Sequence, residues 1–178
     1  MLVYAAMQSP VINLDEIHPE PRPAAFAAPG AAAERFDARM GEIAPRIGAR
    51  LIGCNLTVIP PGKAAFPRHN HWVNEELFYI LSGSGEVRIG DAVYPLRPGD
   101  FIACPPGGPE TAHQIRNTGG EELRFIAIST RLSPEIVDYP DSGKFGVRHE
   151  TRDPATGQAR VFRFIGRAGD SLDYWEGE

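Results

Sequence analysis

The chain is poor in cysteine, with only Cys54 and Cys104 among its 178 residues. Two thiols without zinc-finger spacing give neither a disulfide framework nor a thiolate metal site, so both are expected to be reduced and buried. There is no run of Lys or Arg, and 18 basic against 23 acidic residues leave a net charge of -5. That removes the electrostatic footprint needed for a nucleic-acid backbone or an anionic membrane surface. No stretch approaches the roughly 18 uncharged apolar residues of a membrane-spanning helix. The opening MLVYAAMQSPVINLDEIHPE lacks a basic segment followed by a long apolar one. A cytoplasmic protein with no nucleic-acid or membrane partner is expected. Helical periodicity is scarce as well: no stretch keeps a 3.6-residue repeat beyond about three turns, and no internal repeat is visible.

What the chain has instead is turn formers, 19 Gly and 17 Pro. From Ile43 onward, short β-prone runs such as RLIGCNLTVIP, ELFYILSG, SGEVRI, AVYPL, FIAC and LRFIAIST alternate with Gly- and Pro-containing turns. Strands at that spacing predict an all-β sandwich or barrel. Gly90 and Asp91 between SGEVRI and AVYPL predict a two-residue hairpin turn, because glycine takes positive φ without a Cβ clash. The length fits a single domain. Residues 1–42, which include the Pro- and Ala-rich 19–33, are expected to be an arm packed on the barrel. Residues 43–130 form its core, and 131–178 a C-terminal extension with a hairpin turning at DPATG.

The chemistry concentrates in FPRHNHWVNEELFYILSG. His69 and His71 are two apart, so on an extended chain both imidazoles project from one face. Neutral imidazole is a good ligand for first-row divalent metals, and a carboxylate adds an anionic oxygen. Strict alternation from His71 brings Glu75 to the ligand face, whereas a bulge at Asn74 brings Glu76 there, and the spacing leaves both open. In TAHQIRN, alternation puts His113, Ile115 and Asn117 on one face. His18 and His149 have no ligand-like neighbour at strand spacing and read as ordinary structural histidines.

These residues resemble the two sequence motifs of the cupin superfamily. The first, a Gly, His-x-His, a Glu and a closing Gly, is matched by Gly62, His69, His71, Glu76 and Gly83. The second is matched by Gly99, Pro105, Gly107, His113 and Asn117. The likeness covers about residues 50 to 130. It departs in two loops, with an extra residue between Gly62 and His69 and three extra residues between Gly107 and His113. The resemblance implies a single cupin-type barrel, a double-stranded β-helix or jelly roll, with N- and C-terminal extensions. It also implies a metal site of His69, His71, Glu76 and His113, the gap from Glu76 to Gly83 favouring Glu76 over Glu75.

Such a site suits a divalent ion, Fe(II), Mn(II), Zn(II), Ni(II) or Co(II), with open positions for a small molecule. The favoured expectation is a metal-dependent isomerase or epimerase acting on a sugar or sugar phosphate. An Fe(II)-dependent dioxygenase and a non-catalytic sugar-binding module are the alternatives. Glu75 or Glu110 could carry the proton and Lys63, Arg88 or Arg116 could meet a phosphate, but each reads more readily as a solvated surface charge and none is assigned a catalytic role. Phe78 or Tyr79 could line the pocket, but both read more readily as core. The apolar outer positions of ELFYIL and LRFIAI suggest a homodimer.

Overall fold

The computed structural model describes residues 9–178. Its strands are β1 (Glu20–Pro21), β2 (Arg39–Glu42), β3 (Ile52–Ile59), β4 (Asn70–His71), β5 (Glu76–Ser82), β6 (Gly85–Ile89) and β7 (Ala92–Leu96), then β8 (Phe101–Cys104), β9 (His113–Arg116), β10 (Leu123–Thr130), β11 (Glu135–Tyr139), β12 (Lys144–Arg152) and β13 (Ala159–Gly166). Helical structure among the described residues is confined to 3₁₀ segments of three to five residues. The fold is all-β, as the sequence pattern predicts.

Two walls form a jelly-roll barrel. One is a six-stranded sheet in the order β1-β2-β3-β10-β5-β8. The other combines β13-β12-β11-β4 with β9-β6-β7, joined by an antiparallel bridge between His69 and His113. The first wall takes in residues that precede the expected 43–130 core. Arg39–Glu42 pairs with Asn55–Val58 of β3, and Ile17 of the arm packs with Leu56 and Val58 on the back of that sheet. The outer positions of β10 are therefore partly covered, Ile126 by the arm, whereas Leu77 and Phe101 on β5 and β8 stay exposed.

The core fills the closed half of the barrel. Phe78, Ile80, Val87, Ile102, Ile115, Leu123 and Phe125 are buried together, with Phe78 and Phe125 edge-on at 5.7 Å between centroids. Alternation of side chains puts these residues inside and their neighbours outside. Gly90 has φ +55 and joins β6 to β7 as expected, with Ile89 opposite Ala92. Gly83 has φ +81, and a Cβ there would sit 2.8 Å from the Leu123 Cα, so both its conformation and its space require glycine. Burial along β3 grows from exposed Ile52 to fully buried Ile59, which marks the open and closed ends of the barrel.

Candidate metal centre

The backbones of His69 and His113 exchange two hydrogen bonds, His69 N to His113 O at 3.1 Å and His113 N to His69 O at 2.8 Å. Residues paired this way point their side chains to the same face. His71, two residues on, shares that face. Glu76 comes from the opposite wall at the start of β5. Its Oε2 lies 3.7 Å from His69 Nε2, 3.3 Å from His71 Nε2 and 2.9 Å from His113 Nε2. Donor atoms of His69, His71 and Glu76 fall within 4.8 Å of one another, a spacing one metal ion can bridge. The structure thus brings together all four residues singled out by the sequence.

Glu76 rather than Glu75 faces inward because the chain breaks between β4 and β5. The Asn74 side chain is buried at the bend. Its Oδ1 accepts from Thr130 Oγ1 at 2.8 Å and Leu132 N at 2.7 Å, and its Nδ2 donates to Leu132 O at 3.0 Å. Thr130 Oγ1 also accepts from Glu75 N, which pins Glu75 outward with an exposed side chain. The bend shifts the alternation by one residue. Glycine shapes the approach from the other side: Gly107 donates to the His71 carbonyl at 2.8 Å and accepts from the Asn70 side chain at 2.7 Å. A Cβ on Gly107 would meet Thr111 Cγ2 at 2.6 Å.

The protonation pattern suits a cation. His69 Nδ1 lies 2.8 Å from the Pro67 carbonyl and so carries its proton, leaving the Nε2 lone pair facing the cluster. His71 Nε2 is buried and, although near Glu76, lacks the alignment of a hydrogen bond. Burial holds His113 below the ordinary imidazole range, only partly countered by Glu76. Burial would raise Glu76, but the hydrogen bond to His113 and the close approach of His69 and His71 outweigh it and hold the carboxyl well below its usual value. Burial would likewise lower His71, and the carboxylates of Glu76 and Glu135 overcome it to give a net rise. Three imidazoles around one ionised carboxylate fit a first-row divalent cation.

Glu135 is the residue the sequence reading missed. It is 5% exposed, and its Oε2 lies 3.5 Å from His71 Nδ1. β11 pairs with β4, Val137 opposite His71, which turns Glu135, Val137 and Tyr139 toward the site. The alternation in EIVDY was the available signal, but only the pairing with β4 shows which of its faces is inward.

Residues 55–129 match the family model described as cupin domain. The chain carries a cupin barrel. A candidate sugar phosphate isomerase from Acidithiobacillus ferrooxidans shares the fold with a TM-score of 0.69 and 26% identity, over 86% of this chain and 92% of that one. A sugar phosphate isomerase of the cupin superfamily from Silicibacter pomeroyi gives a TM-score of 0.71 at 24% identity, covering 92% and 97%, a likeness of fold. Protein SchB of Streptomyces halstedii is 33% identical over 88 residues, 49% of this chain and 58% of SchB. The chain spans little more than half the length of the curated relatives it matches, 54% and 58% for two of them.

Two cavities meet at the His–Glu cluster of the barrel, both touching His71, Glu76, Met40, Asn55 and Val137. The inner one, about 300 Å³, reaches His69, His113, Phe78 and Tyr139 inside the barrel. The outer one, about 840 Å³, opens past Arg22, Arg46, Arg131 and Arg148. Phe78 both packs in the core and lines the inner cavity, while Tyr79 packs against Phe101 on the other side of the sheet.

Other sequence candidates lie elsewhere. Lys63 donates to the Ala33 and Glu34 carbonyls, Arg88 to Gly90, and Arg116 is exposed outside both cavities. Glu110 caps its own loop through Gly108 N. His149 contacts Ser133 on the C-terminal hairpin, whereas His18, read as purely structural, lines the outer cavity. Cys104 is buried as expected, but Cys54 is only half-buried, because it sits near the open end of β3.

Proposed function

We propose that the barrel holds one divalent cation on His69, His71, Glu76 and His113 and isomerises or epimerises a small hydroxylated molecule, a sugar or sugar phosphate. The observation that carries this reading is the convergence of three Nε2 atoms on one Glu76 oxygen, at 2.9 to 3.7 Å, where the two cavities meet. A bound cation supplies Lewis acidity to a substrate carbonyl and its neighbouring hydroxyl. The chain's own residues bind and orient. Phe78, Ile115 and Phe125 give the inner cavity a dry wall, which strengthens polar interactions within it. Tyr139 also lines that cavity, and burial raises its phenol above the usual value, so it keeps its proton at neutral pH and can donate it at Oη. Arg22, Arg46, Arg131 and Arg148 line the outer cavity and are the cationic groups a phosphate entering from solvent would meet, Arg131 and Arg148 being paired with Glu150. The likeness to the candidate sugar phosphate isomerase, at 26% identity over 92% of its chain, supports the substrate class.

The test is proton NMR in D₂O with Mn(II)-, Zn(II)- and Fe(II)-loaded protein and a panel of aldose and ketose sugars and their phosphates. Deuterium entering at the carbon beside the carbonyl, lost in Glu76→Ala, is the expected result. No exchange with any member, together with oxygen uptake by the iron form, would transfer the site to oxygen chemistry and sink the isomerase reading.

A further inference from the structure

We infer that Glu135 is a positioning residue of the metal centre: its buried carboxylate takes the Nδ1–H of His71, aims the Nε2 lone pair at the cluster, and ties metal affinity to the C-terminal extension. This rests on the reading that His71 is a ligand.

The geometry separates the two ends of the His71 ring. If Nε2 holds a cation, Nδ1 must carry the proton. His71 Nδ1 is buried and has no hydrogen-bond partner among the described residues. The acidic group near it is Glu135, with Oε2 at 3.5 Å. His69 is served differently, its Nδ1 meeting the neutral carbonyl of Pro67. A carboxylate behind a ligating imidazole fixes its orientation and raises its basicity, which a neutral carbonyl does less strongly.

The carboxylate is held too firmly to be a ligand itself. Glu135 Oε1 accepts from Val73 N at 3.2 Å and Ile136 N at 3.0 Å. Its Oε2 accepts from Asn74 N at 2.9 Å and from the Asn74 side chain. Three of these donors, Val73 N and the two Asn74 groups, belong to the bend that delivers Glu76, so one buried group organises both the His71 ring and the register of the Glu76 strand. A pairing of β11 with β4 puts it there, Asp138 opposite Asn70 and Val137 opposite His71.

The experiment uses Co(II) as probe with the full-length protein, its Glu135→Gln variant and its His71→Ala variant. Chelator competition reads affinity, and visible absorption reads the ligand field. Glu135→Gln, folded by circular dichroism, is expected to bind Co(II) about 10- to 100-fold more weakly and to shift the absorption bands. Unchanged affinity and spectrum in the folded variant overturn the inference. Because Gln cannot accept from all four N–H groups and the variant could fail to fold, a second measurement uses the unaltered protein. With Zn(II) bound, ¹⁵N-resolved NMR of the histidine rings is expected to find the His71 proton on Nδ1, and a proton on Nε2 overturns the inference. His71→Ala separates the two levels. If it binds Co(II) as tightly as the unaltered chain, the metal-centre reading falls. If it loses Co(II) while folded Glu135→Gln keeps it, only the positioning role falls.

Discussion

Strands β3 and β10 are paired through eight residue pairs, and so are β12 and β13. Their surroundings differ completely. Thr57, Val58 and Ile59 of β3 and Leu123 and Phe125 of β10 are buried. β13 has exposed side chains at seven successive positions, Phe162 and Ile165 among them. Backbone pairing of equal length thus supports two regions of different standing. The central pair has apolar side chains from both walls packed on it, while the hairpin arm relies on its own ladder, which alone is marginal in water.

The largest effect expected follows from that contrast. Phe125→Ala removes a buried ring that packs on Phe78 and should cost about 3–5 kcal/mol in denaturant unfolding. Phe162→Ala, on the exposed arm, should stay within about 0.5 kcal/mol. Equal losses would mean that something outside this chain covers the arm, and sedimentation of the unaltered protein would show whether a second copy does.

The second comparison sets a histidine in the barrel against one on the arm. His71→Ala should weaken metal binding by at least about 100-fold, beyond what loss of an outer-shell partner usually costs. His149→Ala should leave it unchanged, since its ring meets Ser133 on the C-terminal extension and lines neither cavity at the cluster. Affinity should rise with pH through the imidazole range. Burial alone would ease deprotonation of His71, but Glu76 and Glu135 outweigh it and raise its pKa. A cation must therefore displace a proton there, with at most about tenfold per pH unit for each proton released. Chelator titrations at several pH values check the slope, and affinity that falls as pH rises would contradict the ligand set.

How much of this was legible beforehand follows the same division. Within the barrel, the signals are local. Gly90 and Asp91 mark a hairpin by their own chemistry, and the spacing of His69 and His71 puts two rings on one face before any fold is known. Choosing Glu76 over Glu75 needed the family's spacing, because the hydrogen bonds that hold the bend link Asn74 to Thr130 and Leu132, far away in sequence. Glu135, Tyr139 and Arg148 were invisible for a related reason. Their inward orientation is set by pairing across β4, β11 and β12, and EIVDY reads equally well with either face inside. Lys63, Arg88 and Arg116 could not be assigned from the sequence beyond surface charges, because a charge on a strand or turn says nothing about which cavity it borders.

The smallest effect expected concerns the thiols. Burial and the neighbouring Glu76 carboxylate push Cys104 up to about 12, and burial raises the half-buried Cys54 less. With iodoacetamide at mildly alkaline pH, Cys54 should react slowly and Cys104 only after unfolding. Rapid labelling of Cys104 in the native protein would show that the barrel interior opens readily.

The central claim is that His69, His71, Glu76 and His113 form one metal site, and elemental analysis of purified, untagged protein tests it most directly. About one equivalent of a first-row divalent metal, lost in Glu76→Ala with the fold retained, is the expected result. No bound metal, even after reconstitution with each candidate ion at neutral pH, would contradict it.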